Sequence, residues 1–379
     1  MTGREKIEAA FSGGGASEIP AVICYEGIYI RDHWSQLTSC PWWYAQSPKL
    51  EHQLAWRRDF LAATPQDWFA LPGCASRAER EAAEIQQRGE DVFLIDRRSG
   101  ERRKLYRPVV AGWSRQAIAA QATPARLPES VEEIDAAVPL PGEFDGDRFA
   151  ADGRGDLAEA MLAEFGADVC PIGGAPSPLW RCYGLWGFEG MMTLVAERPD
   201  LVERACRRLL AGSIQSVRHA AELGAVAVWI EECLTDMISP AAFERLNLPP
   251  LRELIEAIRS AGMKSVYYYC GDPAGKWELL VSAGADALSL EESKKGFTID
   301  IDDVVERVAG RCAVLGNLDA MGLLAGGDEE QLRAEIARQI AAGRRAGGRF
   351  IMSLGSPVTP ETPPQRVRRY LQLARELGA

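Results

Sequence analysis

The chain has 379 residues, 47% of them hydrophobic, so it carries ample material for a packed core. Its formal net charge of −11, from 43 Lys plus Arg against 54 Asp plus Glu, speaks against a nucleic-acid phosphate backbone as partner. No run of about 18 apolar residues is present, which excludes a membrane-spanning helix. The opening stretch MTGREKIEAAF reads as a charged amphipathic helix without an apolar leader core, so a cytoplasmic location is expected. Nine cysteines without a CxxC pair read as thiols, and only three histidines restrict any imidazole-based mechanism.

In chain order, the first strand is expected at 20–25 (PAVICY), after the opening helix. A helix over 48–63 leads to a strand at 67–71 (DWFAL). Residues 91–96 and 101–106 flank Arg97-Arg98-Ser99-Gly100 and read as an antiparallel hairpin. It belongs to an insertion at about 74–150 within a single domain spanning 1–379. A helix over 156–166 precedes a strand at 167–172 (ADVCPI). Five more strands follow at 226–231 (VAVWIE), 264–269 (KSVYYY), 286–290 (DALSL), 312–316 (CAVLG) and 349–353 (RFIMS). Helical stretches at 241–261, 273–283, 301–309, 329–346 and 364–377 separate or follow them. Gly224, Gly262, Gly284, Gly310 and Gly347 each stand between a helix and the next strand, where a left-handed residue ends a helix. This repeat implies parallel strands with crossover helices, and the strand count is that of a (β/α)8 barrel, the TIM-barrel form of α/β fold. A doubly wound sheet is the competing architecture, but neither GxGxxG nor GxxxxGK[ST] occurs.

In such a barrel the chemistry lies at the carboxyl ends of the strands. Those ends carry Tyr25 and Glu26, then Glu231, Glu232 and Cys233, then Tyr268, Cys270 and Asp272, and later Asn317, Asp319 and Ser356. Glu231 and Glu232 are adjacent on a strand, so one faces the lumen and the other leans out. Tyr267 and Tyr269 share a face opposite to Tyr268, and the parity alone assigns neither set to the inside. Trp34, Trp42, Trp43 and Tyr44 suggest an aromatic lid, with His33 beside it. The bland alternatives are ordinary packing of the aromatics and of each cysteine as a small hydrophobe.

Four stretches carry a family resemblance: Ile238-Ser239-Pro240, Tyr269-Cys270-Gly271-Asp272, Leu315-Gly316-Asn317-Leu318-Asp319 and the run from Leu354-Gly355-Ser356-Pro357 to Thr362-Pro363. In order and spacing they resemble the uroporphyrinogen decarboxylase superfamily, and Thr2-Gly3-Arg4-Glu5-Lys6 is similar to its opening. The resemblance implies the same barrel. It also implies either decarboxylation of a porphyrinogen or corrinoid-dependent methyl transfer. The decarboxylase branch has an arginine-rich loop after the first strand and a histidine in the last loop. This chain has residues 24–33 with Arg31 alone there, and Ser356 in the last loop. The methyltransferase branch binds zinc through a His-x-Cys pair and a last-loop cysteine, positions held here by Tyr268, Cys270 and Ser356. A replacement zinc set can be drawn from Cys270, Cys233 and Glu231 or Glu232, with Asp272 near; its alternative is a metal-free pocket in which the two cysteines pack and Glu231 or Glu232 serves as acid or base.

The resulting expectation is a methyltransferase that moves a methyl group between a small methylated compound or a thiol and a corrinoid carried by a partner protein. Its catalytic residues would be Glu231, Glu232, Cys270, Tyr268 and Asn317. Its substrate would touch Tyr25, Glu26, His33, Trp34, Asp272, Asp319 and Ser356. The rival readings are a carboxy-lyase acting on a porphyrinogen, which requires cations in the pocket, and a non-catalytic barrel that binds a tetrapyrrole or a corrinoid protein.

Overall fold

The computed structural model describes residues 1–112, 123–124, 126–293 and 296–379. Strand β1 (Trp68–Ala70) comes first, followed by an antiparallel sheet of β2 (Ala83–Arg88), β3 (Asp91–Asp96) and β4 (Arg102–Leu105). The antiparallel pair read from the sequence corresponds to β3 and β4, and β2 adds a third strand to it. Residues 113–122 and 125 of the expected insertion lie outside the described residues. Then come β5 (Cys170–Pro176), β6 (Ala227–Glu232), β7 (Lys264–Tyr269), β8 (Ala287–Leu290), β9 (Ala313–Leu315) and β10 (Phe350–Ile351). These six and β1 form one parallel, curled sheet in the order β1-β5-β6-β7-β8-β9-β10. No described helix is long and apolar enough to cross a membrane.

The eighth strand expected at 20–25 is reduced to a single parallel bridge, Ala21 to Met352. The Val22 amide donates to the Met352 carbonyl at 2.9 Å, and the Asp67 amide to the Ala21 carbonyl at 2.9 Å. On the β1 side the remaining donors go to side chains: Ala21 N–H to Asp67 Oδ2 at 2.7 Å and Ile23 N–H to Gln66 Oε1 at 2.9 Å. Side-chain acceptors thus stand where a ladder carbonyl would, which satisfies the buried amides without a regular strand.

Alternation along the paired strands sorts their side chains. Trp68, Cys170, Ala227, Val266, Ala287, Leu315 and Ile351 meet on the inner face. Val228, Ile230, Tyr267, Tyr269, Leu288, Val314 and Phe350 join the helix layer outside. The opening helix Gly3–Phe11 places Ile7, Ala10 and Phe11 in the inner cluster and so fills the amino end of the sheet, leaving the carboxyl end for a site.

Two helices precede β6, Pro178–Glu197 and Pro199–Leu223; the second ends at Gly224 as the sequence implies, and the first has no counterpart in the sequence reading. The second sits so close to β5 that a Cβ on Gly173 would stand 2.6 Å from that of Ala220. That contact leaves no room for a side chain at 173, and the strand runs past its expected end at 172, with Gly173 and Gly174 paired with Val228 and Trp229. The helix expected over 241–261 contains a π turn, Phe243–Asn247, before Leu248–Ser260. Pro249 and Pro250 lack N–H groups and crowd the preceding turn, which favours this widening.

Asp67→Ala removes the acceptor for a buried amide. We expect it to lower the unfolding free energy by about 1–3 kcal/mol in chemical denaturation, with Asp67→Asn recovering part of the loss.

Candidate functional site

The parity of β6 decides the site. Trp229 and Glu231 point to the inner face, whereas Ile230 and Glu232 point to the helices. Sequence reasoning named Glu231 and missed Trp229, although a residue two positions earlier on a strand shares its face. The pairing Glu231 to Tyr268 in β7 brings Tyr268 to the same side.

Tyr25 reaches this place by an uncommon backbone, φ 53 and ψ 46, just before the helix Glu26–Leu37. Leu234, just past β6, also has positive φ. Left-handed geometry costs a non-glycine residue roughly 1–2 kcal/mol, so surrounding contacts must hold it. For Tyr25 those contacts are ring packing and its hydroxyl. The ring stands edge-on to Trp229 at 6.0 Å and to Tyr268 at 5.3 Å. The hydroxyl donates to Glu231 and lies 3.9 Å from Cys233 Sγ.

A cavity of about 250 Å3 opens here, lined by Tyr25, Glu26, Trp68, Gly174, Trp229 and Glu231, among others. Trp68 is perpendicular to Trp229, at 5.8 Å and 88°. Its indole N–H is already held by the Ile23 carbonyl at 3.1 Å, so it offers the cavity ring surface. Among the described residues, no Lys, Arg or His lines the cavity. Burial pushes the Glu231 carboxyl up, against the pull of the Tyr25 hydrogen bond. Burial also pushes Glu26 up to about 7, opposed by the Ala70 amide at 2.9 Å, the Gln66 amide at 2.9 Å and the nearby Arg57.

Glu232 is fully buried on the other side of the strand. It accepts from Ser177 Oγ at 2.7 Å, Asn247 Nδ2 at 2.8 Å and, at 3.4 Å, the Tyr267 hydroxyl. The π turn supplies Asn247. Burial still pushes this carboxyl up to about 7. Glu232 therefore belongs to the wall that carries Glu231.

The remaining expected residues separate into several groups. Tyr268 stacks on Trp229 at 5.1 Å and donates to the Gly355 carbonyl at 3.1 Å, forming the floor behind the cavity. Cys233 and Cys270, each 1% exposed, pack around Tyr268. Asn317 donates to the carbonyls of Glu291 and Ile299 at 3.1 and 2.9 Å and ties two loops together. Asp319 accepts three amides at the start of the turn Ala320–Leu324, and Asp272 accepts the Ala274 amide at 2.9 Å. Ser356 is buried in the last loop. His33 is buried, with Nε2 3.1 Å from the Thr359 carbonyl. Trp34 lines a different cavity, with Ile30, Trp42 and Trp56. The aromatic run thus does not cover the mouth cavity.

The zinc set expected from the sequence does not fit. Among the described residues no three His, Cys, Asp or Glu side chains are gathered to hold a metal ion. Glu231 is turned to Tyr25, while Cys233 and Cys270 are packed about a phenol ring.

Glu232 allows a thermodynamic test. Its folded pKa lies above the ordinary carboxylate value, so its contribution is fully present below about 4.5 and is lost as pH rises through about 7. Glu26 titrates over the same window. Glu232→Gln should therefore shrink, without abolishing, the fall in unfolding free energy between pH 5 and pH 8, by up to ~3 kcal/mol. An unchanged pH slope in denaturation curves would show that Glu232 is ionised at pH 5.

A sequence model of the family described as uroporphyrinogen decarboxylase (URO-D) matches residues 145–377. The chloroplastic uroporphyrinogen decarboxylase 2 of Arabidopsis thaliana is 26% identical over 192 residues, 50% of this chain and 46% of that protein. The uroporphyrinogen decarboxylase of Pseudomonas fluorescens strain SBW25 is 31% identical over 195 residues, 51% of this chain and 53% of that one. The chain thus spans about half the length of the curated relatives it matches. The structure of a methyltransferase from Methanosarcina mazei superposes over 100% of both chains with a TM-score of 0.68 at 18% identity, a likeness of fold. The matched region holds β5 to β10, Glu231 and Glu232, and on that ground the chain belongs to the uroporphyrinogen decarboxylase family.

Proposed function

We propose that this protein is a methyltransferase that moves a methyl group between a small methylated compound and a corrinoid carried by a partner protein. The observation that carries this reading is the composition of the mouth cavity: two carboxyl groups, aromatic walls and, among the described residues, no cationic side chain in the lining. A porphyrinogen with many carboxylates would meet Glu26 and Glu231 with no cation among those lining residues to neutralise it. The cavity of about 250 Å3 also lies below the ~300–1,000 Å3 usual for drug-sized ligands, so it suits a small compound. Decarboxylation remains the second reading because the curated relatives carry that name.

The corrinoid, too large for this cavity, supplies the methyl-accepting or methyl-donating centre from its own carrier. The chain's own residues do the rest. A methyl group leaves a heteroatom readily only when that atom carries positive charge or gains a proton as the bond breaks. Glu231 answers both needs: it gives a proton to a departing oxygen or sulfur, or balances the charge of an onium. Tyr25 fixes the direction of that carboxyl through its hydroxyl. Trp229 and Trp68 exclude water, which strengthens the electrostatic effect of Glu231. We further read the fold as a full barrel, with residues 20–24 in the eighth strand position between β10 and β1.

Glu231→Gln keeps the shape and removes the charge and the proton. It should lower kcat/KM for methyl transfer by about 10²–10⁴, with little change in thermal stability. Cys270→Ala, which trims a packed side chain, should cost about 1 kcal/mol of stability and leave methyl transfer within a few-fold of the parent. Loss of transfer in Cys270→Ala together with retention in Glu231→Gln would return the chemistry to the thiol.

A further inference from the structure

We infer that the mouth cavity is a receptor for a small quaternary ammonium group. This inference rests on the methyl-transfer reading only for the fate of the methyl group; the binding stands on geometry. Three aromatic side chains, Tyr25, Trp68 and Trp229, line one cavity together with the Glu231 carboxyl. They are not stacked on one another. Tyr25 and Trp68 each stand nearly perpendicular to Trp229, at 77° and 88°. Rings set at right angles about a small space present π surface from more than one direction, which suits a spherical cation better than a flat ring. A planar neutral ligand would instead be served by parallel plates.

The polar atoms agree with this. The Trp68 indole N–H donates to the Ile23 carbonyl, so the cavity does not receive a donor from it. The Tyr25 hydroxyl donates toward Glu231. What the cavity offers is therefore π surface and carboxylate oxygen. A quaternary ammonium has no N–H to donate and is attracted by both, through its charge alone. Among the described residues, no Lys, Arg or His in the lining competes for Glu231. Tyr25, Trp229 and Glu231 are each partly exposed, so a ligand reaches them from the open end of the sheet.

The chemistry balances without a proton. The bond from the methyl carbon to nitrogen breaks with its electron pair staying on nitrogen, which leaves as a neutral tertiary amine. The methyl group forms its new bond to the partner's reduced corrinoid, which supplies the electron pair for that bond. Glu231 then acts as a counter-ion that holds the onium and releases the uncharged amine.

The test compares choline with its neutral isostere 3,3-dimethylbutan-1-ol, titrated into the full chain and followed by calorimetry and tryptophan fluorescence. Tetramethylammonium chloride serves as the minimal probe. Choline should bind at least about tenfold more tightly than the neutral alcohol. Glu231→Gln and Trp229→Phe should each reduce that ratio several-fold, with circular dichroism and melting curves confirming that both variants fold. Equal or tighter binding of the alcohol would overturn the inference, as would a choline affinity unchanged in Glu231→Gln. Absence of saturable binding of either cation up to about 10 mM would do so too. The binding assay needs no corrinoid, so the two readings fail separately. Onium binding without methyl transfer to any corrinoid carrier keeps the receptor and removes the transferase. Methyl transfer from a neutral methoxy compound, with no onium preference, keeps the transferase and removes the receptor.

Discussion

The site depends on one constraint, the in-register parallel pairing of β6 with β7. It sets Trp229 opposite Val266, Glu231 opposite Tyr268 and Glu232 opposite Tyr269. Because strand side chains alternate with a period of two, a slip of one residue would carry Glu231 into the helix layer and Glu232 into the lumen. Ser177, Asn247 and Tyr267 form a socket for Glu232 that no apolar residue in its place could use. An apolar residue of β6 there would leave those polar groups without their acceptor, whereas the inner carboxyl of Glu231 has the Tyr25 phenol as its partner.

The socket shows how distant parts of the chain converge on this strand. Ser177 caps the helix Pro178–Glu197, and its hydroxyl also accepts the Trp180 amide at 3.1 Å. Asn247 comes from a π turn favoured by the paired prolines after it. Helix starts and helix irregularities are positions where backbone groups or side chains are free to turn toward a neighbour. Both are used here on one carboxyl, which makes the wall behind Glu231 stiff and leaves the inner carboxyl with its single tyrosine partner.

Much of the sheet was legible because its signal is local. Each of the last five strands is a short apolar run after a glycine that ends a helix; β7 to β10 lie within those runs, and β6 extends one residue past its own, to Glu232. The first strand position was legible only as an apolar run, since nothing in PAVICY indicates that Asp67 and Gln66 side chains would take its amides. The helix that ends at Gly224 was legible only at its end, although Pro199 and the leucines behind it form a long amphipathic face, and the helix Pro178–Glu197 was missed. In the site, Tyr25, Glu26 and Glu231 were legible from their places at strand ends. Trp229 and Trp68 were not, because inner-face parity becomes fixed only once one residue of each strand is assigned to the lumen. Asp319 and Asn317 are engaged by backbone groups in their loops, a use that the motif alone does not reveal. A polar residue in a loop motif satisfies backbone groups as readily as it binds substrate, and only the hydrogen-bond partners distinguish the two.

The family motif and the cavity chemistry rest on different side chains of the mouth. The motif residues Asn317, Asp319 and Ser356 lie in the loops after β9 and β10, where the first two hold backbone carbonyls and amides. The carboxyl and aromatic groups lie on β1, β6 and the segment at Tyr25, which adjoins β10 through the Ala21–Met352 bridge. A barrel permits this division, because each loop is supported by its own strand and can change while others keep their shape. The loops after β9 and β10 hold the rim, while the cavity wall sets what enters. On that wall the acceptor Glu231 and two indoles stand where an arginine cluster would be needed for a polyanion. The electrostatic sign of the pocket, and with it the class of compound admitted, then follows from a few side chains on β1, β6 and the turn at Tyr25, independently of the fold that holds them.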